Sequence, residues 1–426
     1  MSDLKRFKLG DIIEDVAMGP FGSNLKVDNF ISIGVPVIRG GNLNQNGFDD
    51  KNFVFVSEEK AQSLKRSLAY PDDLVFTHRG TIGQVGIIEK TKYPYYLVSQ
   101  SQMRLTVNRQ FLNPRFLYYW FKSTTGQYEL LKNSAQVGVP AIASPTKSLK
   151  EIDISIPDLP TQIAIAEILS SLDDKIELNN KINQELENLA QTLFKQWFID
   201  FEFPNENGEP YKSSGGEMEA SELGEIPKGW EVSNLNQIAR LVKNNIKPFE
   251  NPDTLYFHYS LPEFDSGKNP SIDLGSTILS SKYEVTEHSI LVSKLNPRIP
   301  RIWTIINPES NSICSTEFQV LKPTKKVFFP FVNYLCKSEI YLSSLQSKVT
   351  GTSSSHQRVN PLDIINYEVV LPQIELFDRF FHSTYGFIQK IEKNALENIQ
   401  LTTLRDTLLP KLISGELEVS QIQTAS

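Results

Sequence analysis

Arginine, lysine, asparagine, histidine, serine and threonine recur on loops of this sequence, most of them glycine-bearing. The chemistry these side chains offer is hydrogen bonding rather than bond breaking. In the first third they cluster in GPFGSNLK (19–26), IRGGNLNQ (38–45), THRGTIG (77–83) and NSAQVGVPA (133–141). From these, Ser23, Asn24, Lys26, Arg39, Asn42, His78, Arg79 and Thr81 are singled out. Later in the chain the corresponding loops are KNNIK (243–247), SKLNPRIPR (293–301) and TGTSSSHQR (350–358). Their candidates are Lys243, Asn244, Lys294, Asn296, Arg298, Arg301, Ser354, His356 and Arg358. A guanidinium or carboxamide offers paired groups to a planar partner, whereas Lys, Ser and Thr suit anionic oxygens. Arg79 and Arg298 rank highest, as basic residues read at one loop position in two halves of the chain. The competing reading of each residue is a turn whose polar head sits in water.

Motifs for covalent chemistry are missing. A methyl transferase acting on amino groups needs a Gly-rich cofactor loop and an Asn/Asp-Pro-Pro-Tyr/Phe tetrapeptide, and neither occurs. There is no GxxxxGK[ST] loop for a nucleoside triphosphate and no compact carboxylate–x–Lys nuclease pattern. His78, His258, His288, His356 and His382 are scattered, with no HExxH or Cys/His cluster for a metal. The two cysteines, Cys314 and Cys336, are too few for a disulfide framework. These absences favour a binding protein without catalytic residues or a metal of its own.

Charge is unevenly spread. The net −7 comprises +4 on residues 1–157, −10 on 158–229, +1 on 230–371 and −2 on 372–426. Acidity thus sits in the middle of the chain, and the flanking segments remain able to meet a polyanion. No apolar run approaches a membrane span, the nearest being VFFPFVNYLC (327–336), and MSDLKRFKLGDII lacks the apolar core of a secretory signal. A cytoplasmic location is expected.

The elements that must carry these loops begin with the long run from Leu159 to Phe203. Ile165, Leu169, Leu172, Ile176, Ile182, Leu186, Leu189 and Leu193 recur there at helical spacing, and no Gly or Pro falls between Pro160 and Pro204. Such a run predicts a coiled-coil helix roughly 55–60 Å long, which needs a second long helix as partner. Asp173, Asp174, Glu177, Glu185 and Glu187 read as a solvated face or a docking surface. Before it, residues 7–157 alternate short strand-like runs with turns, interrupted by one expected helix at 113–136. The aromatic run FLYYWF (116–121) reads as core within that helix.

After a Gly/Ser/Pro/Glu-rich stretch the chain starts again. WEVSNLNQI echoes FKLGDII, HSILVSKLNPRIPRIWTII (288–306) echoes DDLVFTHRGTIGQVGII (72–88), and SICSTEFQVLKP (312–323) echoes YLVSQSQMRLTV (96–107). A second long helical run closes the chain. Pro157 and Pro372 lie 215 residues apart, as do Leu193 and Leu408. A period this long marks tandem duplication of a complete unit rather than a solenoid. The fold expected is α+β: two tandem mostly-β domains separated by a pair of long helices, packed as an antiparallel coiled coil with pseudo-two-fold symmetry. The expected boundaries are a first sheet domain (1–157), a central spacer helix (158–203), a linker (204–229), a second sheet domain (230–371), a C-terminal spacer helix (372–419) and a tail (420–426).

LPTQIAIAEILSSLDDKIELNNKINQELENLAQTLFKQWFIDFEF and LRDTLLPKLISGELEV (404–419) resemble the central and C-terminal shared regions of specificity subunits of type I restriction–modification systems. The half-domain openings and the pattern DDLVFTHRGTIG fit as well, although the second half departs from the latter with HSILVSKLNPRIP. The resemblance implies two target recognition domains, each reading half of a bipartite, asymmetric double-stranded DNA target in the major groove. The helical pair would set the unread gap and dock two modification subunits that carry S-adenosylmethionine and methylate adenine at N6. Two restriction subunits with ATP and Mg²⁺ would complete a nuclease. The loop residues named above then become candidate DNA contacts. The alternative is a protein-binding coiled-coil scaffold without DNA recognition.

Overall fold

The computed structural model describes residues 4–44, 47–89, 93–135, 138–349 and 357–419. They form two compact units, residues 1–178 with 397–426 and residues 179–396. The central helix Leu159–Phe198 and the C-terminal helix Ile374–Ser414 each contribute one half to each unit.

In the first unit, a four-stranded antiparallel sheet runs in the order Ile13–Met18, Gln102–Val107, Leu74–Thr77, Val85–Ile87. A second sheet orders Val54–Val56, Val35–Ile38, Tyr96–Val98 and Leu68–Ala69, and its 35–38/96–98 pair is parallel. Lys5–Lys8 pairs antiparallel with Asp153–Ile156, returning the chain to the start of the central helix. The second unit repeats this plan. Its four-stranded sheet is Ala239–Val242, Phe318–Pro323, Ser289–Ser293, Ile302–Ile305. Its other sheet contains the parallel pair Leu255–Tyr259/Ser312–Cys314, and Glu231–Asn234 closes on Glu368–Leu371.

The expected single helix at 113–136 is two helices, Pro114–Lys122 and Thr124–Leu131. Ser123 leaves helical geometry with ψ 159° and its hydroxyl accepts from Gly126 N–H at 3.1 Å, which starts the second helix afresh. Gly126 lies so close to the Trp120 carbonyl that a Cβ there would stand 2.0 Å from its oxygen. Phe116, Leu117, Tyr118, Tyr119, Trp120 and Phe121 are all buried, so the aromatic run is core.

The two long helices pack together and run antiparallel. In the first unit Ile165, Ala166 and Leu169 share one core with Leu409, Leu412 and Ile413. In the second, Ala190, Phe194, Trp197 and Phe198 share one with Phe377, Phe380, Tyr385 and Ile388. Asn394, fully buried in that seam, donates to Asn183 Oδ1 at 2.8 Å. Two of the carboxylates read as a solvated face or a docking surface are tethers within the chain. Asp173 accepts from Tyr119 Oη (2.7 Å) and Arg405 Nη1 (2.6 Å), and Glu187 pairs with Lys337 (3.0 Å). The stretch 204–229, expected as a linker, carries a hairpin of Met218–Ser221 and Gly224–Pro227, with Phe203 stacked between Tyr211 and Trp230. Among the described residues no helix is long and apolar enough to cross a membrane.

Candidate nucleic-acid interface

In each unit described parts of the candidate loops meet at one end of the four-stranded sheet, around the turn that joins its second strand to the neighbouring sheet. In the first unit this turn is Ser99–Gln102. Ser99 N–H donates to Ile38 O (2.9 Å), Gly19 N–H to Gln102 O (2.8 Å) and His78 N–H to Ser101 O (3.0 Å). Loops 19–26, 38–45 and 77–83 are thereby anchored to four residues. The fourth loop joins through Gly80 N–H to Pro140 O (2.8 Å) and Ile142 N–H to His78 O (2.9 Å).

A partly buried polar chain lies under this surface. The Ser99 hydroxyl donates to Gln102 Oε1, and Gln102 Nε2 donates to Thr77 Oγ1 (3.4 Å). The Thr77 hydroxyl donates to Gln84 Oε1 (2.9 Å), whose Nε2 donates to Leu43 O (2.5 Å). With partners on both sides, the buried amide of Gln102 and the half-buried amide of Gln84 hold three loops in one arrangement.

The candidates divide by where their side chains go. Ser23, Asn24, Lys26, Arg39, Arg79 and Thr81 are exposed. Asn42 is only 3% exposed; its Oδ1 accepts from Arg39 N–H (3.0 Å) and its Nδ2 donates to Lys51 O (2.8 Å), so its amide builds the loop. His78 is 6% exposed and its Nε2 lies 3.1 Å from Gln100 O, which makes the ring a donor there. Burial holds its pKa below the ordinary histidine value, favouring the neutral ring.

The second unit reproduces the backbone frame. Ser315 N–H donates to Tyr259 O (2.9 Å), Lys294 N–H to Glu317 O (2.8 Å), Val359 N–H to Lys294 O (3.0 Å) and Asn296 N–H to Gln357 O (2.8 Å). These bonds equate His78 with Lys294, Gly80 with Asn296 and Ser101 with Glu317. Gly80 and Asn296 both have positive φ, 90° and 49°, which glycine and asparagine tolerate best. The isolated bridges Arg79–Ala141 and Leu295–Arg358 complete the match. The counterpart of Arg79 is therefore Leu295 rather than Arg298. The second unit places its arginine, Arg358, on the facing strand at the position of Ala141.

The side chains on this shared frame differ. Arg358 pairs in bidentate fashion with Glu317 (Nη2–Oε1 2.8 Å, Nε–Oε2 3.2 Å), and this guanidinium holds the Glu317 carboxyl below its usual range. Lys294 is half-buried, and burial, with Arg358 and Lys243 nearby, lowers its pKa against the opposing pull of Glu317. Lys243 and Arg298 are exposed; Asn244 is exposed and donates to Glu284 Oε2 (2.9 Å). Arg301 is held by both oxygens of Asp265 at 2.7 Å, which makes it a structural pair. Ser354 and His356 lie outside the described residues.

The residue that loop composition missed is Gln100. It is exposed at the apex of the central turn, yet it sits within a strand-like run that carries no glycine to mark a loop. Among the described residues no three His, Cys, Asp or Glu side chains come together to hold a metal ion. Cys314 and Cys336 are buried, and burial pushes both thiols up to about 12. A cleft of about 280 Å³ in the first unit, lined by Asp72, Asp73, Thr106 and Arg109, opens at the other end of the same strands.

Residues 1–188 match the family model described as "Type I restriction modification DNA specificity domain". The chain is 28% identical over 381 residues to the type I restriction enzyme MjaIX specificity subunit of Methanocaldococcus jannaschii, covering 86% of this chain and 82% of the relative. It is 26% identical over 482 residues to the type I restriction enzyme HindI specificity subunit of Haemophilus influenzae, covering 98% and 100%. Among solved structures, the S subunit of a type I restriction–modification system from M. genitalium matches with a TM-score of 0.61 at 17% identity, over 96% of both chains. That last likeness is one of fold.

Proposed function

We propose that the chain is a specificity subunit of a type I restriction–modification system, as the family match over residues 1–188 and the full-length likeness to such subunits support, and that each of its sheet domains reads one half of a bipartite, asymmetric duplex target. The helical pair sets the gap between the half-sites and docks modification subunits, which bring S-adenosylmethionine and methylate adenine at N6. Restriction subunits with ATP and Mg²⁺ join where the system has them. The chain itself performs no covalent chemistry; it selects where its partners act.

The observation that supports this reading is the loop frame built twice with unlike side chains. A repeated frame offers a duplex the same docking geometry at each half-site, while different side chains select different bases. The first frame exposes Lys26, Arg39, Arg79 and Gln100, and the second Lys243, Arg298 and the Arg358–Glu317 pair. These basic and amide groups, set beside exposed Phe21 and Ile299, offer the major groove donors, acceptors and apolar contacts together.

Charge adds a condition. With −10 on residues 158–229 the chain repels a polyanion along its middle, so partner subunits must supply the surface that encloses DNA. The test is duplex binding at stated salt by the chain alone and with its modification subunits, together with mapping of methylated adenines. The expected result is weak binding alone and a two-part methylated motif with the partners. Tight sequence-specific binding by the chain alone would contradict the dependence on partners. A methylated motif unchanged by deleting this chain would overturn the function.

A further inference from the structure

We propose that Gln100 is a base-reading side chain of the first unit, and that the base it reads is adenine. This rests on the reading of the loop face as a DNA interface. The carboxamide carries one acceptor and two donors in a plane, the complement of adenine N6–H₂ and N7 in the major groove. A neutral amide can donate to a phosphate oxygen, but only at a base edge are its donor and acceptor both used, and that pairing directs the residue toward readout.

Readout also requires a side chain launched from rigid backbone. Turn 99–102 meets this requirement through five hydrogen bonds on four residues. Ser99 N–H reaches Ile38 O (2.9 Å), Gln102 N–H reaches Ser99 O (3.0 Å), and Gly19 N–H reaches Gln102 O (2.8 Å). His78 adds two, from its backbone N–H to Ser101 O (3.0 Å) and from its buried ring to the carbonyl of Gln100 itself (3.1 Å). Two glycines clear the approach. A Cβ at Gly19 would stand 1.8 Å from Ser99 O, and one at Gly22 would stand 2.7 Å from Gln100 Oε1. Loop 19–26 therefore reaches the turn backbone only because Gly19 lacks a side chain, and Gly22 leaves room for the Gln100 amide beside it. The equivalent turn position in the second unit is Thr316, flanked by Glu317 and its arginine. The two frames thus differ at the residue between the two anchored ends of the turn.

The experiment uses the full chain in complex with its modification subunits, carrying Gln100→Ala or Gln100→Glu, beside the unaltered complex. Bound duplexes are selected from a randomised library and sequenced, and methylated adenines are mapped in cells. Gln100→Ala is expected to lower discrimination roughly 10- to 100-fold at a single A·T pair of one half-site, with the other half-site and the gap unchanged. Gln100→Glu, which keeps the shape but only accepts, is expected to shift that position toward cytosine, whose N4 amino group donates. Position preferences unchanged in both variants would overturn the assignment while leaving the proposed function standing. Weakening that is uniform over all sequences would also overturn it, marking a backbone contact. An unaltered complex with no sequence preference would instead sink the underlying reading of the interface. Gln100 is exposed, so both variants are expected to fold, which thermal melting of the complexes checks.

Discussion

At the scale of single residues, burial separates candidates that composition cannot. His78 lies inside the first unit with its pKa depressed by burial. As pH falls through about 6.5 the unfolded chain takes up a proton that the buried ring refuses, so stability present above that pH is lost. His78→Gln is expected to be less stable at neutral pH but to lose less stability between pH 7 and 5, as urea denaturation at each pH would register. The arginines divide similarly. Arg79 is exposed, whereas both oxygens of Asp265 hold Arg301. For the assembled complex, Arg79→Ala is expected to weaken duplex binding and reduce the slope of log K against log salt by about 1, and Arg301→Ala to leave that slope unchanged. Equal slopes for the two variants would mean that exposure does not decide which of these arginines meets the duplex.

At the scale of elements, the helices are held to the sheet domains by polar nodes as well as by apolar seams. Asp173 on the central helix joins Tyr119 of the sheet domain to Arg405 of the C-terminal helix. Asp173→Ala leaves a buried phenol without its acceptor and a half-buried guanidinium held by Asp406 alone. A cost of about 1–3 kcal/mol is expected, discounted for partial exposure and read from the denaturation midpoint. Arg405→Met in the same background should recover part of the loss, since it withdraws a half-buried charge that has lost one of its two carboxylates. No recovery would mean that the pair contributes only packing.

At the scale of the whole molecule, the proposed function makes helix length a variable. A heptad inserted at matched positions in both long helices keeps the apolar seam in phase. Methylome sequencing of a host carrying this variant is expected to reveal a longer unread gap between two unchanged half-sites. Altered half-sites around an unchanged gap would count against the helices as a spacer.

The long helices, their pairing and the duplication were legible in the chain because each is a periodic signal: helical spacing in the seam, and 215 residues between Pro157 and Pro372. The α+β class followed from short strand-like runs between turns. The candidate site was legible only as a set of loops. Asn42 and His78 read as surface groups until long-range packing enclosed them, and Arg301 read as available until Asp265, 36 residues away, was seen to hold it. Register across the duplication was likewise a tertiary matter, since backbone bonds between distant strands match Arg79 with Leu295. Local periodicity survives in one dimension, whereas burial, ion pairing and the prominence of Gln100 depend on which distant segments the fold brings together.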